Sequence, residues 1–255
     1  GTEQVQEIAL SELHEFKGHP FKVLDDEKMQ ETMESIREHG VLMPGIARPM
    51  KDGGYEIIAG HRRRHACEFV GLTTMPMFIR DYTDDEATII MVDSNIQRED
   101  ILPSEKAKAY FMKYEAVKHQ GKKGKGNSLD EVGETAGESA KTVQRYIYLA
   151  RLSDALLDMV DKKKIGIVQG VELSFLTEQQ QEWVQVVLEE TGVIISTAQA
   201  SKLKEHGKSD ELTLPMVRLI LTESKPIERK VTIKADKISR YFPILLFFSF
   251  ILFLL

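Results

Sequence analysis

The chain changes character at Pro103, and that change constrains its fold more than any other feature. Before it, strand and helix signals alternate. Val5 to Ala9 reads as a short strand, and Asp25-Asp26 opens a helix whose Met29, Met33 and Ile36 recur at i, i+4 and i+7 until Gly40 ends it. Residues 45–50 and 55–59 read as two strands joined by the hairpin signal Lys51-Asp52-Gly53-Gly54. A further strand spans Met75 to Arg80, and Thr83 or Asp84 caps a helix running to about Arg98. From Pro103, a residue suited to the first helical turn, almost every signal is helical. The 255 residues hold two modest domains. The expected architecture is an α/β domain with a small mixed sheet over 1–100, then an all-α domain over 101–205. A tail follows over 206–255.

Composition narrows the function classes. The net charge of -6 gives the whole chain no bias toward polyanions, so any nucleic-acid surface must be local. Cys67 is the only cysteine, which excludes an internal disulfide and a thiolate zinc cluster and fits a reducing cytoplasm. Gly1-Thr-Glu-Gln-Val has neither a basic nor an apolar leader, so no secretory signal is read there. The closing run "ILLFFSFILFLL", residues 244–255, is twelve residues long against the roughly 20 a membrane-crossing helix needs, so it is taken as foreign to the fold and membrane binding is not expected.

Within the α/β part, "AGHRRRHACEFVG" places Arg62, Arg63 and Arg64 directly after a strand and a glycine. They fall in the first turn of a helix, where the macrodipole is positive and each cation is disfavoured by roughly 0.3–1 kcal/mol. An anion bound there accounts for them: free backbone N–H groups, close approach at Gly60 and guanidinium forks make a phosphate site. Pairing with surface acids such as Glu56 or Glu68 accounts for them equally well, so chemistry alone leaves both readings open. A second polar cluster, "DSNIQRED" at 93–100, ends a helix with Ser94, Asn95 and Arg98 close together. Asn95 can offer an oxygen to Mg²⁺, a hard cation that accompanies nucleotides.

The helical part carries a helix-turn-helix pattern over 128–152. Leu129, Val132 and Ala136 face inward, Gly137 supplies a left-handed turn residue, and Ser139 caps a second helix held by Val143 and Ile147. The outward set Lys141, Thr142, Gln144, Arg145 and Tyr146 consists of hydrogen-bond donors, which suits a helix reading a major groove. An ordinary helical hairpin with a solvated face shares the pattern. Local charge favours DNA: from Ser104 to Leu152 there are ten Lys and Arg against six Asp and Glu, a net of +4. Just upstream, "GKKGKGNS" offers Lys122, Lys123 and Lys125 to phosphates.

"EIIAGHRRRHA" and "SNIQREDILPSEKAKAY" resemble the paired nucleotide-binding motifs of ParB-type partition proteins, and "HPFKVLDDEKMQETMESIREHGVLMPGIARP" at 19–49 resembles the family's first box. The similarity covers about residues 5 to 205. It implies a ParB/sulfiredoxin-like α/β fold and a cytoplasmic, nucleoid-associated DNA clamp, loaded on a centromere-like site in double-stranded DNA and dimerising through bound CTP and Mg²⁺. It also implies a ParA-type ATPase as partner. Gly60, His61, Arg62, Arg63, Ser94, Asn95 and Arg98 are the implied nucleotide contacts, with Asn95 on the metal. Two positions depart from the family pattern. His61 and Ser94 stand where the family carries glutamates tied to Mg²⁺ handling and CTP turnover, so at most weak CTPase activity is expected. A helix-turn-helix regulator with a nucleotide-independent scaffold domain is the main competing reading. A sulfiredoxin-type enzyme lacks its nucleophile, because Gly60 precedes His61 where a cysteine is required.

Overall fold

The computed structural model describes residues 4–120, 128–209 and 211–223. The N-terminal half is built on a five-stranded mixed sheet. Its strands are β1 (Val5–Ala9), β2 (Leu13–His14), β3 (Gly45–Pro49), β4 (Tyr55–Ala59) and β5 (Thr74–Ile79), in the order β1-β5-β3-β4-β2. The hairpin β3–β4 is antiparallel, with Gly53 and Gly54 at positive φ in its turn. β5 joins the other edge of β3 in parallel and pairs antiparallel with β1. β2, two residues set parallel against Tyr55 and Glu56, is too short to show a period and was not legible in the sequence.

Strand β4 explains the layering. Its residues Glu56 to Ala59 are all buried. Alternation sends Ile57 to one face and Ile58 to the other, so the sheet is covered on both sides. Ile57 meets Met29 and Ile36 of α1 (Glu27–His39) and Ala66 and Cys67 of α2 (His61–Val70). Ile58 meets Ala87, Met91 and Val92 of α3 (Asp84–Asp93). Cys67 is fully buried and its thiol is pushed up by burial, which makes it packing rather than a reactive group.

Helix α3 stops at Asp93, short of the expected Arg98. The Ser94 hydroxyl and the Asn95 side-chain amide both donate to the Met91 carbonyl, at 3.0 and 2.9 Å. Short polar side chains that satisfy the last turn end a helix in this way.

Helix α4 (Pro103–His119) links the two halves. Its Ala109, Tyr110 and Val117 share a cluster with Ile58 and α3. Its Ala107 joins the core formed by the remaining helices. Those are α5 (Ser128–Glu134), α6 (Ala140–Leu149), α7 (Asp154–Asp161), α8 (Ile167–Leu173), α9 (Glu178–Thr191), α10 (Thr197–Lys208) and α11 (Leu214–Thr222). The helical pack continues past residue 205, because Val217, Ile220 and Leu221 of α11 are buried in it. The C-terminal apolar run lies outside the described residues. Among the described residues no helix is long and apolar enough to cross a membrane.

Candidate functional site

Gly60 turns β4 into α2 with φ +112, a conformation side-chain-bearing residues rarely adopt. A Cβ there would lie 3.2 Å from the Gly45 Cα. No side chain caps α2, and its first turn closes with the Arg64 N–H donating to the Gly60 carbonyl at 2.9 Å, leaving the preceding amides as the free donors of a helix start.

The three arginines behind this start are held in different ways. Arg62 bonds Asp26 at 3.1 Å, through the same carboxylate oxygen that caps α1 by accepting from the Met29 amide. Arg63 donates to the carbonyls of Met43 and Pro44, the latter at 2.9 Å, and so ties down the loop before β3. Arg64 pairs with Glu68 at 2.8 Å one turn along. Glu56, the other acid offered by the sequence, pairs instead with Arg48 at 2.6 Å. Arg64 is no freer in solvent than its neighbours. Its side chain is as covered as that of Arg62, and its Nε is buried without a partner.

That Nε is one of three. Among the described residues, the buried side-chain nitrogens or oxygens with no hydrogen-bond partner are Arg64 Nε, His61 Nε2 and His19 Nε2. They sit together. The His19 and His61 rings stack at 3.9 Å between centroids, and Arg64 lies close enough to act on His61 by its charge. Leaving a buried polar atom unsatisfied costs about 1–3 kcal/mol, so three in one place mark a built recess rather than an accident of packing. Burial, reinforced by His19 and Arg64, pushes the His61 pKa down to about 3. His19 is lowered as well, first by burial and further by Arg98, while the Phe21 carbonyl, Glu15 and Glu105 oppose. His61 and His19 are therefore neutral imidazoles at neutral pH.

Three stretches separated in sequence thus meet at His19: its own loop, the start of α2, and Arg98 beyond α3. His19 itself was not singled out from the sequence. The signal lay in the "HPF" of the 19–49 stretch, but a lone histidine there has no spacing partner until the fold stacks it on His61. Ser94 and Asn95 reach the Met91 carbonyl and each other, and Arg98 is half-buried. These bonds use the Asn95 amide nitrogen, and what Ser94 and Asn95 can offer Mg²⁺ is neutral oxygen rather than the carboxylate that the ion usually takes together with phosphates. No cluster of three metal-ligating side chains occurs among the described residues, and Asp93, two positions before Asn95, is held at 2.5 Å by the buried Lys113.

Two cavities lie close to the arginine turn and the hairpin. One of about 570 Å³ is lined by Ile36, Val41, Leu42, Met43 and Arg63, so Arg63 borders it. Another of about 580 Å³ surrounds the Arg48–Glu56 pair and belongs to the opposite end of the hairpin.

The helix-turn-helix is present. Gly137 has φ +66, and Gly133 lets the helices close, since a Cβ there would meet the Glu138 carbonyl at 2.3 Å. Ser139 caps α6 by accepting from the Thr142 amide, so its hydroxyl is engaged, and the two hydroxyls lie 3.0 Å apart. Lys141, Gln144 and Arg145 are exposed. Tyr146 is not an outward residue: it packs edge-on against Tyr110 and under the Lys106 ammonium. Lys122, Lys123 and Lys125 lie outside the described residues. The sequence reading missed Tyr148 and Arg151, the next turn of the same face. Arg151 stacks on the Tyr148 ring, which meets Phe175, itself covered by Lys204 at 3.9 Å. Their spacing from Gln144, at i+4 and i+7, was the available clue.

The segment after α3 is bonded to the turn between α5 and α6. Gln97 donates to the Thr135 carbonyl at 2.7 Å, and Lys113 joins Asp93 to the Thr135 hydroxyl.

An arginine-led α/β recess bonded to a helix-turn-helix defines a class of two-part protein, and the comparisons narrow it. Residues 1–96 match the model of the ParB N-terminal domain. A probable chromosome 1-partitioning protein ParB of Deinococcus radiodurans is 32% identical over 205 residues, covering 80% of this chain and 68% of that protein. The chain belongs to the ParB family of partitioning proteins. Solved structures of C-terminally truncated ParB from Caulobacter crescentus are also similar. The complex with the centromeric parS site is 21% identical, with a TM-score of 0.44, and the complex with CTP-gamma-S is 25% identical, with a TM-score of 0.35. Each covers 78% of this chain and 98% of the solved one. The family assignment rests on the sequence match.

Proposed function

We propose that this chain binds CTP at the start of α2 and loads as a clamp on a specific, centromere-like site in double-stranded DNA, serving segregation. The observation that carries the reading is the trio of buried, unpartnered nitrogens of His19, His61 and Arg64 beside an uncapped helix N-terminus. Two of them belong to cationic or donor-capable groups, the helix dipole adds positive potential, and Arg98 adds charge; together they suit a polyphosphate. Arg62 and Arg63 are bonded to protein and must exchange Asp26 or the Met43 and Pro44 carbonyls for phosphate oxygens. That exchange would release the loop before β3 and the start of α1, which gives nucleotide binding a way to alter the surface. Membership of the ParB family supports CTP as the nucleotide. It also supports a nucleotide-linked homodimer and a ParA-type ATPase as partner.

DNA reading is assigned to Lys141, Thr142, Gln144 and Arg145 on α6, with Lys122, Lys123 and Lys125 supplying phosphate contacts. The bonds from Gln97 and Lys113 to Thr135 are the route by which the two sites would sense each other. Turnover is expected to be slow or absent, because neutral His61 and hydrogen-bonded Ser94 offer no carboxylate to position water or metal.

The test uses DNA bearing the cognate site with both ends blocked. CTP, but not ATP, GTP or UTP, is expected to convert binding into a form that survives a high-salt wash, and opening one end is expected to release it. Site-specific binding that ignores every nucleotide would favour a plain helix-turn-helix regulator.

A further inference from the structure

We infer that this chain takes its nucleotide without a divalent cation. The inference rests on the nucleotide reading above and concerns what neutralises the phosphates. Mg²⁺ is a hard ion that wants oxygen, usually one or two carboxylates together with the phosphates themselves. Around the start of α2 the carboxylates are already engaged. Asp26 is held by Arg62 and the Met29 amide, Asp25 by His65, and Glu68 by Arg64. Glu105 accepts from the amides of Lys22 and Leu102, and Asp93 from Lys113. Glu15 is exposed and bears on His19 only through its charge.

What the recess offers instead is nitrogen. His19 Nδ1 lies 2.8 Å from the Phe21 carbonyl. Assigning the proton to that bond leaves Nε2 with a lone pair, suited to a ribose hydroxyl or a base amino group. With its proton assigned to Nε2, neutral His61 can donate to anionic oxygen beside Arg64 Nε, and a cation entering among them would meet the fields of Arg64 and Arg98. The two departures from the family pattern act in the same direction. Two carboxylates and one Mg²⁺ sum to zero charge, and so do neutral His61 and Ser94 with no metal. Replacing both carboxylates removes the need for the ion while leaving the balance presented to the phosphates unchanged.

Calorimetric titration of CTP into the full chain tests this in excess EDTA and again in millimolar Mg²⁺. The expected dissociation constants agree within about threefold, because the charge is neutralised by fixed protein groups. His61→Glu combined with Ser94→Glu is expected to weaken binding in EDTA and to regain at least about tenfold when Mg²⁺ is added, as carboxylates create a site for the ion. Tightening of the parent by about tenfold or more with Mg²⁺ overturns the inference while sustaining the nucleotide reading. Absence of CTP binding in both buffers overturns the two together. Should the double variant fail to fold, the parent's own ratio between the two buffers still decides.

Discussion

Lowering the pH should destabilise this protein through its buried imidazoles, His61 above all. His61 is 9% exposed, and burial, His19 and Arg64 hold its pKa near 3, against 6.5 for the free side chain. The folded state therefore resists protonation that the unfolded state accepts. The contribution is fully present above pH 6.5 and is lost progressively as pH falls from 6.5 toward 3. At pH 5 the loss is about 1.36 kcal/mol for each unit below 6.5, or about 2 kcal/mol. In a folded unit of this size that is a drop of roughly 4–8 °C in Tm between pH 7.5 and pH 5. His19 moves in the same direction, whereas Asp26 and Asp154, both lowered below 3.8 by Arg62 and Lys108 respectively, lose their contribution only in stronger acid. Urea denaturation of the parent and of His61→Gln at both pH values isolates the effect, since glutamine does not titrate. The parent is expected to lose about 2 kcal/mol more than the variant. Equal losses in the two proteins would refute the argument. An anion beside His61 Nε2 opposes the shift, so CTP should protect the parent more at pH 5 than at pH 7.5.

Other outcomes follow from the same geometry. Gly60→Ala places a Cβ at φ +112 and should cost about 1–3 kcal/mol in denaturant titrations while lowering CTP affinity. Gln144→Ala should narrow the gap between specific and random DNA by about 1–3 kcal/mol in competition binding, whereas Tyr146→Ala should lower Tm, because Tyr146 packs inward. Replacing Lys122, Lys123 and Lys125 should weaken both kinds of DNA equally and flatten the salt dependence.

Much of the fold was legible because periodicity and punctuation agree. Asp26, Gly40, the Gly53-Gly54 turn, Thr83, Gly137 and Ser139 each stand where the structure uses them. The misses are also physical. β2 has two residues and no period, and α3 ends early because side chains, rather than a glycine or proline, satisfy the Met91 carbonyl in its last turn. At the site, Gly60 and the arginine turn were readable from the dipole argument. The partners were not: Asp26, Met43, Pro44 and Glu68 are settled by packing, as is the burial of the Arg64 Nε. His19 could not be found from sequence because its role depends on a stack with a residue 42 positions away. Tyr146 was placed outward on helical phase alone, and its contact with Tyr110 on α4 is a tertiary fact.

The central claim is that the recess at His19, His61 and Arg64 is a CTP site. Equilibrium binding of radiolabelled CTP, ATP, GTP and UTP to the parent and to Arg64→Ala measures it directly. CTP is expected to bind in preference to the other three, and removing the Arg64 guanidinium should weaken it by at least about tenfold, the worth of a charge-assisted contact. Equal affinity for all four nucleotides, or CTP binding untouched in the folded variant, would contradict it.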